Sequence, residues 1–420
     1  MGIEVRNITL LNDTAQRANP GCQLTSKTLK AVLGQSATSN GWHVNIRSHP
    51  WGFAQRVNTA DRALLRSLKS GHAFHQDALR KLSLAEYGLR AVADAIASDI
   101  VVFQPEGTIS DQDDVLKILR LLSLPLYIAN FERKPVIVMN GTFPLIFDER
   151  GALIHWLRES STAFLMRDRM SADHWHGEFM PDTALTWSGH CANSTEYILI
   201  STGAEVPNET DRQLVLSALE VCRRSGAKPL VATKNWERFK FAEGQVKELN
   251  GEFYMDVDIE TMDSLLMKCR LHIGGRYHMA ILAATKGVPS VLIRTNTHKN
   301  EWLAQEFEGV SCCEIDKLVS EAAAMLEIID RVGDGLITKT RSIAQSSAQQ
   351  CTKILSQSCH IPTQLISAPA VPPDLRRIVI RDQWMVRKDV TLNIARRVLP
   401  GWFIEIVRWT RALMRKGVIK

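Results

Sequence analysis

The stretch Leu271–Ile293 restricts the fold more than any other part of the chain. A short apolar run meets Gly274 and Gly275, then Arg276, Tyr277 and His278. An alanine-rich segment follows, and Gly287-Val288-Pro289 precedes a second apolar run. Glycine punctuation and the change of hydrophobic period read as strand, tight turn, helix, strand. Arg276 and His278 therefore stand where the helix begins. Helix N-termini carry unpaired amide donors and the positive end of the macrodipole, so a guanidinium and an imidazole added there suit a small, highly charged anion such as a phosphorylated carboxylic acid. The competing accounts are structural: an Arg276 ion pair across the domain, or a His278 that caps or packs.

The same rhythm runs along the whole chain. Ile3–Leu10, Trp42–Ile46, Ile100–Phe103 and Val136–Met139 read as buried strands, separated by helical patterns over Thr25–Val32, Leu84–Ala97 and Asp113–Ala129. After the polar stretch Ser188–Glu196, the alternation restarts with strands at Tyr197–Ile200, Pro229–Ala232, Phe253–Met255, Arg270–Ile273 and Ser290–Ile293. Helices are expected at Asp211–Arg223, at Arg238–Leu249 and after Thr261. A chain of 420 residues has room for about two domains. Right-handed crossovers and sheets covered on both faces give an α/β fold of two Rossmann-like, doubly wound domains, 1–190 and 191–358, facing a cleft. One more helical stretch, near Thr338–Leu355, precedes Pro362, Pro369, Pro372 and Pro373, which mark 359–420 as a linker and tail.

No run approaches the roughly 20 apolar residues of a spanning helix, and Met1-Gly2-Ile3-Glu4-Val5 lacks the cationic start of a secretory signal. A cytoplasmic protein is expected. The eight cysteines form no CxxC pair, which fits reduced thiols and implies no zinc site. The net charge of +6 is unevenly placed: twelve Lys or Arg oppose four Asp or Glu between Asp374 and Lys420. There Ile394, Val398, Leu399, Trp402, Phe403, Ile406 and Leu413 fall near helical spacing, with Arg408, Arg411 and Arg415 on another stripe and a break at Pro400-Gly401. Such a basic amphipathic tail suits the anionic inner face of the plasma membrane. A terminal helix docked on the protein's own core fits the same pattern. Nucleic acid is not expected, because no recognised binding fold accompanies the basic segment.

Several turns at strand ends point toward the same cleft. Asn19-Pro20-Gly21-Cys22 precedes the first helix, where a ligand usually meets the backbone. Glu106 in Gln104-Pro105-Glu106-Gly107-Thr108 emerges above the carboxyl end of a buried strand, where it can accept a proton from a sugar hydroxyl or act as a cap or loop ion pair. Asn140-Gly141-Thr142 is a further polar turn. In Arg167-Asp168-Arg169-Met170-Ser171, Asp168 or Ser171 can cap a helix, and Arg167 fits an anion contact or an ion pair with Asp182 or Asp168 equally well. Asp182 of Pro181-Asp182-Thr183 reads as structural. Lys234 and Lys299 follow strands of the second domain as candidate phosphate contacts or plain surface charge.

Taken in order, Asn19-Pro20-Gly21, Glu106-Gly107-Thr108, Arg167-Asp168 with Ser171, Pro181-Asp182, and Gly275-Arg276-Tyr277-His278 running into Gly287-Val288-Pro289 and Lys299 resemble the polysaccharide pyruvyl transferase family. The resemblance covers roughly residues 10 to 300. It departs at Gln104-Pro105-Glu106, where the family carries a glycine-rich run. It implies a GT-B-like pair of Rossmann-like halves and transfer of a pyruvyl group from phosphoenolpyruvate to a sugar, commonly as a cyclic ketal, on a bacterial cell-surface polysaccharide or its polyprenyl-linked precursor. Arg276, Tyr277, His278, Lys299, Arg167 and Lys234 would then hold phosphoenolpyruvate, and Asn19, Gly21, Glu106, Thr108 and Asn140 would face the acceptor. His278 would protonate the methylene carbon, Glu106 would serve as base, and Arg276 would stabilise developing charge. No cofactor or metal is expected, phosphoenolpyruvate being a co-substrate.

Two rivals share these features. A GT-B glycosyltransferase would use the basic cluster on a nucleotide diphosphate, and would need an acidic ribose contact after Arg276 and a base-stacking pocket. A non-catalytic, membrane-attached scaffold of polysaccharide assembly would be indifferent to His278. Deleting residues 374–420 is expected to release the protein from membranes while leaving activity on a water-soluble acceptor; a flotation assay with unchanged association would overturn the membrane role of the tail.

Overall fold

A computed structural model describes residues 4–17, 19–52, 72–187, 196–203, 208–233, 239–295 and 298–359. The basic tail and Lys234 lie outside these residues. Two six-stranded sheets, parallel at every strand pair, organise the chain. The first contains β1 (Glu4–Leu11), β2 (Trp42–His49), β3 (Ile100–Phe103), β4 (Val136–Gly141), β5 (Ala163–Met166) and β6 (Glu178–Phe179), in the order β2-β1-β3-β4-β5-β6. The second contains β7 (Tyr197–Gly203), β8 (Lys228–Thr233), β9 (Glu252–Met255), β10 (Cys269–Gly275), β11 (Ser290–Ile293) and β12 (Val310–Cys313), in the order β12-β11-β10-β7-β8-β9. This is the doubly wound pair expected from the alternation of short apolar runs with helical patterns.

Strands of period two explain why those runs are apolar throughout. Val101, Phe103, Val136 and Val138 face one core with α2 (His72–Ala97), α3 (Val115–Tyr127) and α4 (Glu149–Ser160). Their neighbours Ile100, Val102, Ile137 and Met139 face another with α1 (Pro20–Ser39). Both faces are covered, so alternation of polar and apolar residues has no place. The second sheet repeats the plan: Ile198, Ile200, Leu271 and Ile273 pack with α6 (Asn208–Ser225), and Leu199, Leu230 and Leu292 pack with α8 (Ile259–Leu266) and α9 (Tyr277–Thr285). Short α5 (Arg169–Trp175), α7 (Glu243–Glu248) and α10 (Lys299–Glu306) complete the crossovers.

Each sheet reverses its winding at one place, between β1 and β3 in the first and between β7 and β10 in the second. Loops from the two strands part there, leaving a crevice at the carboxyl ends. The loops carrying Asn19 and Glu106 leave the first reversal, and Arg276 leaves the second.

The helical stretch expected near Thr338–Leu355 is the second half of a single helix, α11 (Leu318–Cys359), about 60 Å long. Gly333 does not break it; that position is where the helix meets the backbone of Gly287, and a Cβ on either glycine would approach the other's carbonyl oxygen to 3.1 Å. A division at residue 358 assigns α11 to the second unit. Its first turns bury Leu318, Ala322 and Met325 there, while Cys351, Ile354 and Leu355 enter the first unit's core beside Ile8, Leu29 and Val32. Ser347 and Gln350 donate to the carbonyls of Pro181 and Phe179. No described helix is long and apolar enough to cross a membrane.

Gly287 has φ +75°, and a Cβ there would stand 2.8 Å from Ile337 Cδ1. Gly287→Ala combines a left-handed backbone with a clash against α11, and should lower unfolding free energy by about 1–3 kcal/mol in urea denaturation.

Candidate active site

Helix α9 sets the geometry. It is apolar on every side, and eight of its nine residues are buried between the two units; His278 alone is not. The imidazole therefore reaches the cleft from the first turn, beside Arg276 at the N-cap position. Gly21 makes room for it, since a Cβ there would lie 2.8 Å from His278 Cβ and 3.1 Å from Nδ1. Gly21 also sits in the first turn of α1, whose cap is the Asn19 side chain accepting the Gly21 N–H at 3.0 Å. Two helix N-termini thus open on one space.

Beneath His278 lies a buried ionic cluster. Arg167 Nη1 donates to Asp182 Oδ2 at 2.9 Å and sits 3.0 Å from His278 Nε2; His278 Nε2 is 3.2 Å from the same carboxylate oxygen. Arg167 is 1% exposed and Asp182 is fully buried. Charges removed from water persist only when paired and hydrogen-bonded, and both are. Arg167 Nε donates to Thr142 Oγ1 and its guanidinium lies over the Tyr277 ring, 4.6 Å from the centroid. Asp182 also accepts the Ala184 N–H at 2.9 Å. Burial alone would raise the Asp182 carboxyl, but the charges and hydrogen bonds of His278 and Arg167 overcome it and hold it down at about 2. Burial likewise works against the Arg167 cation, and Asp182 together with Tyr277, Glu106 and Asp168 outweighs it, holding the guanidinium above its usual range. Nε2 is thus engaged by both Arg167 and Asp182, so Nδ1 is the nitrogen that faces the cleft.

Opposite Nδ1 stands Glu106, with Oε1 3.8 Å away. Its backbone adopts φ +52°, uncommon for a residue with a side chain, and Oε2 is buried without a hydrogen-bond partner among the described residues. Next to it, a Cβ on Gly107 would lie 3.5 Å from Lys299 Nζ and 3.6 Å from Arg167 Nη2, so two cations converge over a residue that has no side chain. Arg276 reaches the same space from the second unit while its guanidinium donates to Thr202 Oγ1 at 3.3–3.4 Å. The resulting cleft, about 350 Å³, is lined by Arg17, Lys117, Arg167, Arg276, Lys299 and His278 against the single carboxylate of Glu106. It is built for a compact anion beside a group that exchanges protons.

The residues singled out from sequence divide clearly. Asn19, Gly21, Glu106, Thr108, Arg167, Arg276, Tyr277, His278 and Lys299 all line the cleft. Asn140 does not, which corrects its placement on the acceptor side: it is fully buried at φ +59°, donates to Thr25 and Thr183, and accepts the Thr183 N–H, so its side chain ties strand β4 to the turn after Asp182. Asp182, which reads as structural in the sequence, touches the imidazole directly. Arg17 and Lys117 also line the cleft without being singled out by sequence; Arg17 follows β1 near the Asn19 turn, a signal of the same kind, whereas Lys117 lies in the first turn of α3, where no strand-end signal marks it. Asp168, not Ser171, caps α5, accepting the Ser171 N–H at 2.7 Å. His272, lower on β10, is buried between Ser201 and Ser290 and pushed down to about 3 by burial, which keeps it neutral.

The family model for polysaccharide pyruvyl transferase matches residues 44–297. No curated protein matches. A solved structure assigned as a UDP-N-acetylglucosamine 2-epimerase from Listeria monocytogenes is 11% identical, with a TM-score of 0.52 over 84% of this chain and 95% of that one. The Methanocaldococcus jannaschii UDP-GlcNAc 2-epimerase, in complex with UDP-GlcNAc and UDP, is 13% identical with a TM-score of 0.50 over 84% and 100%. The S. aureus MnaA structure with UDP is 10% identical with a TM-score of 0.51 over 83% and 94%. At such identities the likeness is one of fold: two Rossmann-like units about a cleft, the GT-B arrangement.

Arg167→Met would leave Asp182 buried without its cation and should cost about 3–5 kcal/mol in chemical denaturation. Because Asp182 titrates lower folded (about 2) than unfolded (near 4), its contribution is present above about pH 4 and is lost as pH falls toward 2. Denaturation at pH 6 and at pH 2 should therefore give a smaller penalty for Asp182→Asn in acid.

Proposed function

The chain belongs to the polysaccharide pyruvyl transferase family, and from that premise we propose that it moves the pyruvyl group of phosphoenolpyruvate onto two hydroxyls of a sugar, closing a cyclic ketal. The observation that carries the reading is the juxtaposition of Lys299, Arg167 and Arg276 with His278 Nδ1 and Glu106, whose Oε2 has no hydrogen-bond partner among the described residues. Phosphoenolpyruvate presents a phosphate and a carboxylate on one small enol ether. Arginine, lysine and helix N-termini recognise both groups.

His278 begins as an imidazolium, with Nε2–H on Asp182 and Nδ1–H toward the cleft. Nδ1 gives its proton to the methylene carbon, the double bond is consumed, and the neighbouring carbon becomes cationic. A sugar hydroxyl oxygen bonds to that carbon and loses its proton to Glu106. The carbon–oxygen bond to phosphate then breaks, and phosphate leaves with the proton held by Glu106. A second hydroxyl attacks the same carbon and returns a proton to His278 Nδ1. One phosphoenolpyruvate and one diol thus give one ketal and one phosphate, with both protein groups restored. Arg276 and the α9 N-terminus favour the charge that builds on departing phosphate.

The acceptor in this reading is a cell-surface polysaccharide of bacteria or its polyprenyl-linked precursor, met at the inner face of the plasma membrane, where the basic segment 374–420 fits.

Phosphoenolpyruvate should raise the melting temperature of the protein, and Arg276→Ala should abolish the shift. His278→Ala should keep that shift yet slow phosphate release with a glycan acceptor by about 10²–10⁴-fold. In D₂O the ketal methyl should gain one deuterium. A melting shift with a nucleotide sugar and none with phosphoenolpyruvate would overturn the reading.

A further inference from the structure

We propose that His298, which no role above uses, is a positioning residue that sets Lys299 and Arg167 against the donor; the assignment rests on the pyruvyl transfer reading. His298 occupies the N-cap position of α10, yet its side chain makes no bond to its own helix. It crosses the cleft instead. Nε2 lies 2.8 Å from Asp168 Oδ1 and 3.2 Å from Ser171 Oγ, both in the first unit.

Asp168 is fully buried, and His298 is 13% exposed. Burial would raise the Asp168 carboxyl, but the His298 contact and the Ser171 N–H hold it below its usual value, so a carboxylate meets the imidazole N–H. Its other oxygen accepts the Thr142 hydroxyl at 2.9 Å, and Thr142 Oγ1 accepts Arg167 Nε at 2.9 Å. A continuous path of hydrogen bonds therefore runs from α10 to the guanidinium that touches His278. The next residue after His298 is Lys299, whose Nζ shares the space over Gly107 with Arg167 Nη2. One imidazole thus fixes where the lysine starts and how the arginine is held.

The placement across units gives this contact its weight. On the α8 side the units join through Lys27–Glu260 and through the Ile259 N–H donating to Gln23. On the α10 side the ion pair Arg169–Glu306 is 3.8 Å long, with Arg169 more than half exposed. Water screens such a pair, so beside the packing of Phe179 on Trp302 the buried His298–Asp168 contact is the polar link that orients that edge. Asn300 ties the same turn to the carbonyls of Gly275 and Ile293 in the second unit, so His298 is what sets the turn against the first unit, with Lys299 next to it.

Titration calorimetry with phosphoenolpyruvate on the full chain tests this, using wild type, His298→Ala, His298→Gln, Lys299→Ala and the His298→Ala/Lys299→Ala pair. His298→Ala should weaken binding about tenfold, a loss of about 1.4 kcal/mol. His298→Gln should stay within about threefold of wild type, because its amide N–H can meet Asp168 where Nε2–H did. The loss in the double variant should be smaller than the two single losses multiplied together, since the part of His298's effect that runs through Lys299 is already gone. Wild-type affinity in His298→Ala, or losses that multiply in the double variant, would overturn the assignment alone. No binding to wild type would overturn the donor reading and this assignment together. The melting temperatures of His298→Ala and His298→Gln without ligand should match within a few degrees, which separates lost positioning from lost folding.

Discussion

The buried pair between Arg167 and Asp182 is the constraint around which the cleft is arranged. Neither charge could leave water alone, and each is satisfied by groups from elsewhere: Thr142 after β4, Ala184 after Asp182, and His278 on the other unit. The pair forms within the first unit, and His278 from the second adds to it only where the two units meet in one register. Completing the pair's contacts and placing an imidazole are therefore the same structural act. Asp182 contributes most by what it leaves undecided, since it fixes Nε2 and leaves Nδ1 to exchange protons with the cleft.

Fold and chemistry are joined by the two winding reversals. In a doubly wound sheet the loops separate where the order turns, and two such sheets set edge to edge bring two gaps together. The apolar character of α9 then matters as much as its polar first turn. A helix buried on all sides cannot rotate to hide or expose His278, so the residue's direction is inherited from the packing of Met279, Ala280, Ile281 and Leu282. The glycines serve the same end: Gly21 admits the ring and Gly107 leaves open the volume over which cations gather.

Much of this was legible in the residues. Runs such as Ile100–Phe103 and Ser290–Ile293 are short, apolar and bounded by turns, and they are strands at those limits. Gly-Gly-Arg-Tyr-His placed Arg276 and His278 at the start of a helix, because strand, turn and helix signals coincide there. What stayed hidden depends on tertiary contact. Asn140 and Glu106 are alike in sequence, polar residues at a strand end, and both take a left-handed backbone; only packing decides that one binds a neighbouring turn and the other keeps an oxygen unpartnered. Asp182 lies 96 positions from His278, and no local pattern relates them. The continuity of α11 through Gly333 was masked by helix propensity, because the glycine's use is to meet Gly287 rather than to end the helix.

The path of α11 has a bearing on how the protein is made. Ile8, Leu29 and Val32 belong to the opening elements of the chain, yet the core they form is finished by Cys351, Ile354 and Leu355. A ribosome delivers the early strands long before the residues that cover them. During that interval the first unit carries an apolar face with no occupant, the kind of surface that chaperones hold and that aggregates when they do not. The second unit, by contrast, closes its sheet with β12 and the first turns of α11 in immediate succession. The half synthesised later is thus the one able to finish first, and the half synthesised first must wait for it.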